Sequence, residues 1–96
     1  MPDIATSNPG NEELAGLLKA MAHPVRLKIL AHLKKVNRCI CGEIVEIIPL
    51  SQSTVSQHLK HLKKAGLVKG EIEGPRTCYC VDHDVLNRLK KAVAEL

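Results

Sequence analysis

Four cysteines stand in this 96-residue chain as two pairs with one spacing, Cys39-Ile40-Cys41 and Cys78-Tyr79-Cys80. Thiols can close disulfides, chelate a soft metal or simply pack. In a secreted peptide four cysteines read as a disulfide framework. Here the N-terminus lacks a basic-then-apolar signal pattern, so metal binding or redox chemistry is the better reading.

A second group of residues suits a different chemistry. Ser51-Gln52-Ser53-Thr54-Val55-Ser56-Gln57-His58-Leu59-Lys60-His61-Leu62-Lys63-Lys64 splits into two helical faces. Val55, Leu59 and Leu62 recur at i, i+4, i+7 and point inward. Gln52, Ser53, Ser56, Gln57, Lys60 and Lys63 point outward. Small hydroxyls and amides at a helix start let it approach a major groove closely and exchange hydrogen bonds with base edges. Lysines further along suit phosphates. A generic exposed helix would mix in acids, and this face has none.

Charge supports a polyanion partner. The net charge is +4, and it is clustered. Arg26, Lys28, Lys34, Lys35 and Arg38 fall in one acid-free stretch, and Lys60, Lys63, Lys64 and Lys69 in another.

The elements that must carry these groups follow from periodicity. Residues 1–11 are polar and Pro/Gly-containing and read as a flexible tail, leaving 12–96 as one small domain. Leu14, Leu17, Leu18 and Met21 mark a first helix. Ala22-His23-Pro24 breaks it, and Val25, Ile29, Leu30, Leu33 and Val36 mark a second. Gly42–Ile48 reads as a brief helix ended by Pro49. Ser51 is the expected N-cap of the polar helix and Gly66 its stop. Gly70–Glu73 and Thr77–Val81, joined through Gly74-Pro75, read as a hairpin. A last helix starts near 82–84 and carries Val85, Leu86, Leu89, Val93 and Leu96. Its apolar stripe at Leu86, Leu89 and Val93 is expected to find no partner within so small a chain.

The predicted fold is mainly α with a small β-hairpin (α+β): a winged helix-turn-helix, in which the hairpin is the wing. With a single aromatic, Tyr79, the core must be aliphatic. No apolar run reaches membrane-spanning length, so no membrane partner and a cytoplasmic location are expected. An enzyme is not expected: there is no glycine-rich phosphate loop, no His/carboxylate constellation and no Cys-x-x-Cys in a βαβ setting. A winged-helix module that binds protein is the competing class. The acid-free helix face and Arg76 at the wing argue against it.

The stretches LKAMAHPVRLKILAHL, CICGEI, LSQSTVSQHLKHLKKAGLV and EGPRTCYCV, in that order, resemble the ArsR/SmtB family of winged-helix repressors over about two-thirds of the chain. The resemblance implies a homodimer on a palindromic double-stranded operator, released by an inducer, with no cofactor needed for DNA binding. It implies recognition roles for Ser53, Thr54, Ser56, Gln57 and His58 and a wing-tip role for Arg76. It also implies dimer contacts through the first and last helices. His58 and His61 are then expected near DNA or packed on a neighbouring helix rather than as metal ligands, and His23 as a hydrogen-bonding residue at a helix boundary. Members that sense arsenite, antimonite or soft metals have a similar Cys-x-Cys, which makes Cys39 and Cys41 the sensor candidates. Thiolates suit As(III), Sb(III), Cd(II), Pb(II) and Zn(II). The family's zinc site across the last helices needs several histidines there, and this helix has none past His83.

Cys78 and Cys80 depart from those members. Winged helices pair the extended piece before the short helix with the second wing strand, which would lay Cys39-Ile40-Cys41 beside Cys78-Tyr79-Cys80. If Ile40, Tyr79 and Val81 face the core, all four sulfurs share the other side. Such a cluster could ligate a metal or metalloid, switch through reversible disulfides, or pack as reduced small hydrophobes.

Overall fold

The computed structural model describes residues 10–36, 39–40, 48–73 and 76–96, without the side chains of 71–73 and 76–77. Residues 42–47 of the short helix expected at 42–48, the turn at 74–75, most of the N-terminal tail and Cys41 lie outside these residues.

Helix α1 (Asn11–Met21) starts inside the stretch expected to be tail, with Gly10 as its N-cap residue. Its first turn carries Glu12 and Glu13, where negative charge meets the positive end of the helix. Helix α2 (Pro24–Val36) opens on proline, whose fixed φ suits a first turn. Helix α3 (Gln52–Ala65) is capped by Ser51, whose Oγ accepts from the Thr54 N–H at 3.3 Å. It ends at Gly66, in the left-handed region at φ 91°, which a side chain would strain. The Leu67 N–H then reaches back to the Leu62 carbonyl at 3.1 Å, a helix-stop geometry that turns the chain into the wing.

The wing is the antiparallel pair β1 (Val68–Glu73) and β2 (Arg76–Val81). It is longer than the alternation at 70–73 suggests. Val68 and Val81 pair and are both buried, so the hairpin's base is zipped by core burial rather than by strand pattern. Helix α4 (His83–Ala94) follows, capped by Asp82, whose Oδ1 accepts from the Val85 N–H at 3.2 Å.

One aliphatic cluster joins these elements: Leu17 from α1, Ile29 and Leu33 from α2, Val55, Leu59 and Leu62 from α3, then Leu67, Val68, Val81, Leu86 and Leu89. Leu86 and Leu89 correct the expectation of an unpartnered stripe on the last helix. They are 7% and 3% exposed and belong to the chain's own core. The apolar groups left in the open at the two ends are Leu18 (40%), Val93 (42%) and Leu96 (85%).

Candidate nucleic-acid interface and cysteine pair

Core burial of Val55, Leu59 and Leu62 fixes which way α3 faces. Gln52, Ser53, Thr54, Ser56, Gln57 and Lys60 are consequently exposed, as is Lys63. The cap engages two of these groups. Ser51 Oγ lies 2.9 Å from Thr54 Oγ1 and 3.2 Å from Ser53 Oγ, so these hydroxyls form one polar knot at the helix start. Ser56 and Gln57 stand one turn further along, on the solvent side. Lys63 folds towards the wing. A Cβ added at Gly70 would lie 3.0 Å from its ammonium nitrogen, so the absence of a side chain at Gly70 gives Lys63 its place. Arg76 pairs with Glu73 in the hairpin register, at the wing's far end.

His58 is placed differently from its neighbours. It is half-buried, and its ring meets that of His23 at a 50° tilt with centroids 4.4 Å apart. Its Nδ1 accepts from Arg26 Nε at 3.2 Å, and an Arg26 amino group donates to the Ala20 carbonyl at 3.1 Å. His23 in turn accepts the Val25 N–H on its Nδ1 at 3.1 Å, the helix-boundary role expected of it. His58 thus ties the recognition helix to the start of α2. The signal was present in the spacing: His58 sits three residues after Val55 and four before Leu62, on the flank of the buried stripe. Arg26 carried no such signal.

Desolvation, followed by the neighbouring His23, Arg26 and His61, holds the His58 imidazole below its ordinary pKa of 6.5. The folded chain therefore binds this proton less readily than the unfolded chain. The stability it contributes is full above pH 6.5 and is lost as pH falls through the depressed folded value. In thermal melts between pH 7.5 and 5, His58→Gln is expected to flatten the loss of Tm on acidification. An unchanged slope would show that His58 carries none of it.

The cysteines meet across an isolated bridge. Ile40 and Tyr79 exchange two backbone hydrogen bonds, of 2.9 and 2.8 Å. The positions next to such a pair lie closer together, with side chains side by side. Cys39 and Cys80 occupy those positions, with Cα atoms 4.2 Å apart, and are joined in a disulfide. Ile40 and Val81 are buried and Tyr79 packs against the core, and Cys78 is buried too, so β2 is covered on both faces at this point. Cys78, 1% exposed, is disulfide-bonded as well. Among the described residues no cysteine is free, and no group of three or more Cys, His, Asp or Glu is arranged to hold a metal ion. Reduction of the Cys39–Cys80 bond would yield two adjacent thiols beside the wing.

A capped, basic, acid-free helix α3 with an antiparallel wing behind it, seated on one aliphatic core, is the framework of a winged-helix DNA-binding protein. Comparison with known proteins places it more narrowly. Residues 23–69 match the model of the arsR family of bacterial regulatory proteins. The chain is 35% identical over 89 residues to the HTH-type transcriptional regulator YgaV of Escherichia coli, covering 93% of this chain and 90% of YgaV. It is 32% identical over 80 residues to the arsenical resistance operon repressor of Staphylococcus xylosus, covering 83% and 76% of the two chains. The solved structure of HlyU from Vibrio cholerae superposes with a TM-score of 0.71 at 34% identity, covering 84% of this chain and 88% of HlyU. The chain belongs to the ArsR family of winged-helix transcriptional regulators, and it is not an enzyme. No helix among the described residues is long and apolar enough to cross a membrane.

Proposed function

We propose that this protein is a cytoplasmic repressor that binds a palindromic operator as a homodimer and releases it when the Cys39–Cys80 pair changes state. The observation that carries this reading is the pair itself. Its two sulfurs link the extended piece at residues 39–40 to the wing, and β1 of that wing packs against α3. In a cytosolic protein a disulfide is usually transient and redox-sensing. Two thiols lose two protons and two electrons to a peroxide, which leaves as water or alcohol and water, and the S–S bond forms.

A second reading has its own support. The same thiols, once reduced, suit a trivalent metalloid, and a relative is an arsenical resistance repressor. Cys39 and Cys41 would be the principal ligands, with Cys78 or Cys80 adding a third sulfur for As(III) or Sb(III). Cd(II) and Zn(II) are the divalent alternatives. Titrating the reduced protein with each ion and with peroxide, while following thiolate absorption and operator release together, separates the two readings. Release by peroxide alone supports the redox switch, and release by As(III) under reducing conditions supports ligation.

Operator reading is assigned to Gln52, Ser53, Thr54, Ser56 and Gln57, and phosphate contact to Lys60, Lys63 and Arg76. Ser56→Ala and Gln57→Ala are each expected to weaken operator binding by about 5–100-fold, the worth of a lost base contact. Binding to random DNA should change little. Equal losses on operator and random duplex in a gel-shift titration would remove the sequence-reading role.

A further inference from the structure

A cleft of about 560 Å³ opens between α1 and the C-terminal half of α3. It shares no residue with the outward face of α3 described above or with the cysteine pair. Its floor is apolar: Leu17, Ala20 and Ala65. Its rim is basic: Lys19, Arg26 and Lys64, with the His61 imidazole beside them. The one acid that lines it, Glu13, is engaged by Arg88 at 3.3 Å. The volume falls within the range of small-molecule sites, which pair an apolar body with a few convergent polar groups.

Gly16 is the second observation. Glycine weakens the middle of a helix, so its presence there calls for a reason. Among the described residues nothing packs where its side chain would be: a Cβ built at Gly16 meets no atom within 4 Å. Gly16 lines the cleft, and its missing side chain leaves that wall open. A second copy seated on exposed Leu18 would meet another face of α1. On a helix of about 3.6 residues per turn, exposed Leu18 points about 160° away from Gly16.

We propose that this cleft binds a small organic anion with an apolar body, of the medium-chain carboxylate class. The hydrocarbon would lie over Leu17, Ala20 and Ala65, and the carboxylate would meet Arg26 and Lys64. Arg26 has the donors for it: of five guanidinium N–H groups, its contacts to His58 and Ala20 use two. Lys64 and Ala65 belong to α3, and the same guanidinium holds His58, so the occupant would touch that helix directly.

Isothermal titration of the full chain with decanoate tests the proposal. Decanol serves as the uncharged analogue and inorganic phosphate as the headgroup without a body. One decanoate per chain is expected, with decanol and phosphate each at least tenfold weaker. Gly16→Leu, which fills open space, and Lys64→Glu, at an exposed position, are each expected to weaken decanoate at least tenfold. A thermal melt shows that each variant is folded. The proposal fails if the parent does not bind decanoate, or if both variants bind it as the parent does. It also fails if phosphate binds as tightly, which would make the rim a phosphate-contact surface, or if decanol does, which would leave the anion unrecognised.

Discussion

The double variant Leu18→Asp, Val93→Asp is expected to sediment as a monomer and to lose operator affinity by at least about 100-fold. Both side chains are apolar and about two-fifths exposed, at 40% and 42%, on the first and last helices. Burying them against a second copy would remove that apolar surface from water, and carboxylates there would oppose it. The operator loss follows from linkage. Two recognition helices held about 34 Å apart read two half-sites, and the second contact forms at the effective concentration set by the first. A monomer has no second contact. Leu89→Asp, by contrast, is a test of folding, because Leu89 is 3% exposed in the chain's own core. Sedimentation velocity with gel shifts on one- and two-half-site duplexes checks the expectation. A stable monomer in the parent protein would overturn the dimer altogether.

The second large effect is expected from Cys39→Ser. In the oxidised protein the Cys39–Cys80 bond closes a segment across a sequence separation of 41. A lone ring of that length is worth about 4 kcal/mol of loop-closure entropy, but Cys78 is disulfide-bonded too and keeps the oxidised chain cross-linked at β2 when Cys39 is replaced. Urea unfolding of oxidised Cys39→Ser should therefore show a loss well below that figure relative to the oxidised parent. Under reducing conditions the two should differ by less than about 1 kcal/mol, the scale of a surface substitution. Operator binding should remain, since the cysteine lies beside the wing and not on α3. Response should not: a parent whose operator affinity shifts about 5–150-fold with its sulfur state would give a variant that no longer shifts. Retained response to both peroxide and As(III) would remove Cys39 from the sensing site.

Local order was legible because it is decided by residues within a turn or two of one another. Ser51 ahead of an amphipathic run marks a start, and Gly66 marks a stop that only a residue tolerant of positive φ makes cheaply. The outward set on α3 follows from the inward set. Its burial on one side leaves the polar groups nowhere else to go. The closeness of Cys39 to the second pair was also accessible, but only by combining strand alternation with the pairing habit of winged helices. The bond between Cys39 and Cys80 was not, since alternation places sulfurs near one another without deciding their oxidation state.

What the sequence by itself determined is therefore the four helices described above, the wing, the basic acid-free face and the family. Each depends on local periodicity, capping or motif order along the chain. The tertiary structure alone decided that Leu86 and Leu89 close the core instead of facing a partner, and that His58 turns to Arg26 and His23. It alone decided that Cys39 bonds Cys80 and that a basic-rimmed cleft opens beside Gly16. The reason is common to all four. Each depends on the angle and distance at which elements far apart in the chain meet, and that is set by how one shared aliphatic core packs, not by any neighbour within a helical turn.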